Sequence, residues 1–261
     1  MNGDSFDSLL QTITWRSPPD SVNFVEACRR ARRAGGRPFE VLVGAPNTAH
    51  GVRMTFESGV DSAALNAAFE LQDHPWGLPT WIGLRWSATG GLQAKPYHRL
   101  PPVKSIDLPP VPAGAPVGLK PVMAARWKDR IELYARWRQA GPWSAFVAPC
   151  AALIDAPPPA VTPRPRPAEL GFWVSFGWRG GDLVAVTVGA DSRCWGNDDA
   201  VSESWSGGLA TPDLEAYQRH LAAVRALGPR PNGGWHGMLA WKLSPSGTEQ
   251  RVVSLRLPAP A

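Results

Sequence analysis

Several familiar signatures are missing from this 261-residue chain. It has three cysteines, Cys28, Cys150 and Cys194, an odd number without metal-ligand spacing. Neither a disulfide framework nor a zinc site is therefore supported. No apolar run approaches the roughly 18 residues a transmembrane helix needs, so no membrane partner is expected. The opening MNGDSFDSLL has neither a basic n-region nor an apolar h-region and does not read as a signal peptide. There is no G-x-x-x-x-G-K-S/T loop and no G-x-G-x-x-G, so backbone-cradled nucleotide binding has no support. G-x-S-x-G and H-E-x-x-H are absent too. The five histidines, at 50, 74, 98, 220 and 236, lack ligand spacing and read as turn or surface residues. A reducing, cytoplasmic compartment and a monomer are the expectations.

Charge is in modest excess: 27 Lys+Arg against 22 Asp+Glu, net +5. The balance invites a nucleic-acid reading, but the basic residues are scattered among acids. The one dense run, Arg29-Arg30-Ala31-Arg32-Arg33, looks like a helix end, where cations complement the macrodipole. Nucleic acid is not expected as a partner. With 26 Gly and 28 Pro, about a fifth of the chain, a long-helix bundle is excluded and short elements with many turns are favoured. A hydrophobic content of 44% suffices for a core. The outlier is 13 tryptophans. Indole offers walls for flat or cationic ligands, or bulky filler for a Gly/Pro-rich barrel.

Residues 1–36 read as two helices, Ser5–Ile13 and Asp20–Ala34, the second stopping at Gly35-Gly36. Strands follow. Five hairpins are predicted: Phe39–Gly44 with Val52–Ser58, Trp81–Trp86 with Leu92–Leu100, Pro121–Trp127 with Arg130–Trp137, Phe172–Trp178 with Leu183–Gly189, and His236–Leu243 with Gln250–Leu257. Helical spacing recurs over 61–72, partly over 142–155, and over Asp213–Leu227 behind Thr211-Pro212. Residues 101–121 and 156–168 are Pro-rich connections. Five hairpins with helices between them read as a repeated unit. The fold class expected is α+β: ten antiparallel strands closed into a barrel, helices outside, as a single domain over 1–261. Closure removes every sheet edge, and ten strands leave room for a chamber.

Side chains alternate faces along a strand. Arg53, Thr55 and Glu57 share one face; so do Lys95, Tyr97 and Arg99; so do Glu132, Tyr134 and Arg136. These faces are either solvated or turned into the barrel. An interior of Lys, Arg, Tyr and Glu is unfavourable unless it binds something charged, and that set suits a phosphate or diphosphate.

The segments AHGVRMTFES, GLQAKPYHRL, ARWKDRIELYARW and GMLAWKLSPSGTEQRVVSLRLP, on this five-hairpin plan, resemble the ABBA prenyltransferases over about residues 38–258. Within them the chain looks most like the cyanobactin-type peptide prenyltransferases. The resemblance implies transfer of a prenyl group from dimethylallyl or geranyl diphosphate, with Mg²⁺, to a side chain of a ribosomally made, cyclic peptide. It implies Glu40 as the catalytic carboxylate on the first strand. Arg53, Lys95, Arg99, Arg136 and Arg256 would bind diphosphate, with Glu132 in support. Tyr97, Tyr134, Trp178 and Trp241 would shield the allylic cation, with Trp81, Trp86 and Trp127 as further candidates. Of Arg251 and Arg256, one at most should face inward with Ser254. A cationic acceptor would need carboxylates at the mouth, with Glu57, Asp198, Asp199 and Glu203 as candidates. The fourth hairpin departs from the family: LVAVTVGA lacks a Tyr or Lys. Two other classes stay open. One is an aromatic small-molecule prenyltransferase of the same fold. The other is a non-enzymatic Trp-rich β protein for glycan or peptide, which predicts exposed Lys95, Arg99 and Arg136.

Overall fold

A computed structural model describes residues 3–14, 22–45, 52–58, 62–71, 76–87, 91–100, 108–127, 129–139, 141–161, 171–245 and 250–258. Residues 162–168 of the second Pro-rich connection, 101–107 of the first, and tip residues of four hairpins (46–51, 88–90, 128 and 246–249) lie outside them.

All five hairpins form. In chain order the strands are β1 (Arg37–Ala45), β2 (Val52–Glu57), β3 (Trp81–Ser87), β4 (Gly91–Arg99), β5 (Leu119–Trp127), β6 (Arg130–Trp137), β7 (Phe172–Arg179), β8 (Asp182–Asp191), β9 (His236–Leu243) and β10 (Gln250–Arg256). Each strand pairs antiparallel with its chain neighbours, and β1 pairs with β10 to close the barrel. This is the fold class expected from the hairpin count.

Among the described residues six α-helices accompany the barrel: α1 (Gly3–Ile13), α2 (Val22–Arg33), α3 (Ser62–Ala68), α4 (Trp143–Ala152), α5 (Asp198–Ser206) and α6 (Thr211–Arg225). They pack on its outside, and α1 and α2 show why most plainly, each carrying one apolar stripe. Phe6, Leu9, Leu10 and Ile13 of α1, and Phe24, Ala27, Cys28 and Ala31 of α2, follow the i, i+3, i+4, i+7 spacing and are all buried. The strands meet them with alternate residues. Val41, Val43 and Ala45 of β1, and Met54 and Phe56 of β2, are buried, and Phe6 meets Phe56 edge-on with ring centroids 6.4 Å apart. The outward face is therefore the hydrophobic core, and the polar faces point into the barrel.

Some boundaries shift. α3 stops at Ala68, short of the predicted 61–72, and Glu70 then adopts a positive φ of 50°. α5 was not anticipated; its N-cap is Asn197, whose side chain accepts from the Ala200 amide at 2.9 Å. Cys28, Cys150 and Cys194 are buried, and no disulfide joins them. Among the described residues no helix is long and apolar enough to cross a membrane. The basic run of α2 is engaged within the fold. Arg29 pairs with Asp7 at 3.0 Å and Arg33 with Glu26, while Arg30 and Arg32 lie over the Phe69 and Phe6 rings.

Candidate active site

The inward faces of neighbouring strands gather one cluster of charge. Arg53 on β2 stands directly opposite Arg85 on β3. Lys95 on β4, Arg130 on β6 and Lys242 on β9 complete a set of five cations around one carboxylate, Glu132 on β6. Like charges directly opposite one another in a sheet repel. Burial works against three of these cations: it lowers the Arg53 guanidinium to about 10, helped by repulsion from Arg85, and lowers Arg85 and Lys242 as well. Arg53 Nε is buried and has no hydrogen-bond partner. An arrangement so unfavourable when empty is matched to a polyanion.

Glu132 responds in the opposite sense. Burial alone would raise its carboxyl, but Lys95 and Arg130, with hydrogen bonds from Lys95 and Tyr134, hold it at about 2. Lys95 Nζ donates to Glu132 Oε2 at 2.6 Å and to the Tyr134 hydroxyl at 2.9 Å. The Tyr134 hydroxyl donates to the same carboxylate oxygen at 2.7 Å.

Two of the chain's three tyrosines face this cluster. Tyr97 and Tyr134 meet edge-on at 5.7 Å, and Lys95 Nζ lies 5.0 Å and 5.5 Å from their ring centres. Trp173 of β7 continues the aromatic wall, its ring 6.4 Å from Tyr134. Small residues let these groups lie flat. A Cβ on Gly83 would meet the Tyr97 ring at 3.0 Å, and one on Gly189 would fall inside the Trp173 ring. Gly189→Ala is therefore expected to swing the Trp173 indole off the wall into the chamber. The fold should lose about 1–3 kcal/mol and ligand affinity should fall, read by melting and by titration with a diphosphate ligand.

Glu40 lies elsewhere on the wall. It pairs across β1 with Thr55 on β2 and across the seam with Arg256 on β10. Burial raises its carboxyl pKa, opposed by hydrogen bonds from Ser254 and Thr55 and by the nearby Arg256. The Met238 amide donates to Ser254 Oγ at 3.0 Å, which leaves the Ser254 hydroxyl proton for Glu40. Glu40 is thus a poised carboxylate, less acidic than usual and held by hydroxyl groups.

The structure thus brings together Arg53, Lys95, Tyr97, Glu132 and Tyr134, with Glu40 on the same inner wall. Five other assignments change. Arg99 and Arg136 keep the inward phase but sit exposed, outside the cluster. Arg256 does face inward with Ser254, while Arg251 turns outward to the Gly207 carbonyl at 2.8 Å. Arg256 belongs with Glu40, however: its Nη2 lies 3.8 Å from Asp191 and it is not among the groups acting on Arg53, Arg85 or Lys242. Trp178 and Trp241 point out of the barrel. Trp178 packs with Phe176, and Trp241 with Trp143 of α4 and with Trp195, so neither shields the chamber. Trp86 is likewise in the outer core, whereas Trp81 pairs with Tyr97 across β3 and β4. The candidate mouth carboxylates are outside or at the rim. Asp198 binds the His236 ring at 2.7 Å and Arg230 at 2.8 Å, and Glu57 pairs with Arg37. Arg85, Arg130, Lys242 and Trp173 are additions to the sequence-derived set.

The expected Mg²⁺ does not fit these side chains. Glu132, the one carboxylate in the cluster, is already bound to Lys95 and Tyr134, and no group of three His, Cys, Asp or Glu among the described residues could hold a metal.

No protein-family model and no curated protein sequence matches the chain. Solved structures do. The 6-dimethylallyltryptophan synthase from Micromonospora olivasterospora, in complex with DMASPP and Trp, superposes with TM-score 0.65 at 14% identity, covering 98% of this chain and 99% of that one. The binary complex of PriB with product diphosphate gives 0.62 at 15% identity, over 97% and 95% of the two chains. The 5-dimethylallyltryptophan synthase from Streptomyces coelicolor with DMASPP and Trp gives 0.61 at 14%, over 96% and 92%. The chain has the ten-stranded barrel fold of the ABBA prenyltransferases. At such identities the likeness speaks to the fold alone.

Proposed function

We propose that the protein transfers a dimethylallyl group from its diphosphate to an aromatic acceptor of the indole type, with tryptophan as the first substrate to test. The observation that carries this reading is the buried five-cation cluster beside Tyr97, Tyr134 and Trp173, with Arg53 Nε lacking a partner. An inward Arg53 and Lys95 do not suit the non-enzymatic glycan- or peptide-binding reading. The likeness to tryptophan-binding neighbours over nearly the whole chain favours a free aromatic acceptor over the cyclic peptide expected from sequence.

Arg53, Arg85, Lys95, Arg130 and Lys242 take up the negative charge that grows on the leaving diphosphate as the allylic C–O bond breaks, its electron pair going to oxygen. The π faces of Tyr97, Tyr134 and Trp173 stabilise the allylic cation and exclude water. The acceptor ring then forms the new bond to carbon, and Glu40 removes the proton released from the acceptor. Neither step uses a metal.

The test is to incubate the protein with dimethylallyl or geranyl diphosphate and either tryptophan or a cyclic Trp-containing peptide, with and without EDTA, and to follow mass and released diphosphate. A prenylated tryptophan with one equivalent of diphosphate is expected, at the same rate in EDTA. Product from the peptide alone restores the peptide reading, and geranyl product alone changes the donor. No product and no diphosphate binding sinks prenyl transfer altogether.

A further inference from the structure

The single carboxylate divides the cation cluster. Glu132 satisfies one half: Oε2 takes Lys95 and Tyr134, and Oε1 lies 3.2 Å from Arg130 Nε. Among the described residues no carboxylate lies within ion-pair distance of Arg53 or Lys242 on the other half. Side-chain exposures of 18% for Lys95, 16% for Arg130 and 10% for Glu132 leave all three largely buried. A buried carboxylate repels the ligand such a cluster is built to hold. A glutamine there would keep the shape and could accept from Lys95 and Tyr134 through its carbonyl oxygen, but would turn its NH2 towards Arg130 and carry no charge to repel the ligand.

We propose that Glu132 is an internal counter-anion that weakens diphosphate binding so that product leaves. In the empty chamber it offsets the repulsion between Lys95 and Arg130 and fixes their positions. In the loaded chamber its charge opposes that of the diphosphate. Both effects narrow the free-energy gap between empty and loaded states, so both speed release. Glu132 is a positioning residue in this scheme; it touches the cations, not the reacting carbon. The inference rests on the prenyl-transfer reading, since it assumes that diphosphate enters this cluster.

The test is calorimetric titration of wild type, Glu132→Gln and Glu132→Asp with inorganic diphosphate and dimethylallyl thiolodiphosphate, alongside turnover. Glu132→Gln is expected to bind inorganic diphosphate about tenfold tighter or more. Its kcat should fall and its inhibition by added diphosphate should strengthen. Its melting point should be lower without ligand and gain more when ligand is added. Glu132→Asp keeps the charge and should return binding towards wild type. A gain of affinity is something structural damage does not produce. Equal or weaker binding by Glu132→Gln overturns this proposal and leaves prenyl transfer standing. A wild type that binds no diphosphate overturns the transfer reading and this one with it. Should Glu132→Gln fold too poorly to titrate, its recovery in buffer containing inorganic diphosphate, and not without it, supports the proposal; failure in both buffers overturns it.

Discussion

Replacing Glu40 by Gln is expected to lower turnover by about 10²- to 10⁴-fold while leaving diphosphate binding unchanged. The separation is expected because Glu40 stands with Ser254, Thr55 and Arg256, and the cation cluster feels other residues. Burial raises the Glu40 carboxyl, so the acid limb of the kcat/KM profile should fall above the ordinary carboxylate range and vanish in the variant. Stability gives a second readout. A carboxyl raised in the folded state contributes stability below its unfolded value, and that contribution is lost as pH rises through the folded value. Ionised Glu40 therefore opposes folding at neutral pH, and the neutral glutamine does not. From about pH 4, near the unfolded carboxyl value, up through the raised folded value, the melting point of Glu40→Gln should gain on that of wild type. Normal turnover by Glu40→Gln would remove it as the base.

Arg53→Met carries the second large expectation: donor KM should rise by about tenfold to a hundredfold, because one or two charge-assisted hydrogen bonds to phosphate oxygens are lost. The fold should become more stable by roughly 2–3 kcal/mol, since burial and Arg85 depress the guanidinium to about 10 in the folded state. A base depressed in this way destabilises the fold at every pH below its folded value, so the gain should be flat across the neutral range. Denaturant melts with donor titrations check both halves. A variant that binds donor normally would place the diphosphate elsewhere in the chamber. One that is less stable would mean that Arg53 is structural.

Alternation with period two put Arg53, Lys95, Tyr97, Glu132 and Tyr134 on the polar faces of their strands, because within one strand polar and apolar positions separate cleanly; their expected roles came only with the family resemblance. The sequence left open whether the polar face met water. The apolar stripes of α1 and α2 settle that, by covering the outside. Alternation says which face a residue takes but not how far along the barrel it sits, which depends on strand tilt and stagger. Arg99 and Arg136 have the right phase and the wrong depth for that reason. On β7 the rule loses its grip: FWVSFGW is apolar on both faces, one against helices and one against the chamber, so Trp173 and Trp178 could not be told apart. Lys242 is a readable signal, a lone cation in the apolar run HGMLAWKL. Arg130 was readable too, two residues before Glu132.

The β1–β10 seam bears on how the molecule comes into being. Every other strand pair joins chain neighbours, whereas Glu40 meets Arg256 only once synthesis has passed β10. Non-local pairings of this kind form late, because the loop they close is long. On a ribosome nine ladders can assemble as the chain emerges, with β1 waiting as an open edge. Glu40 is wet and ordinary in that nascent sheet and takes on its buried character only when the last strand arrives. The same open edge is where a stalled or truncated chain is most exposed to pairing with its neighbours.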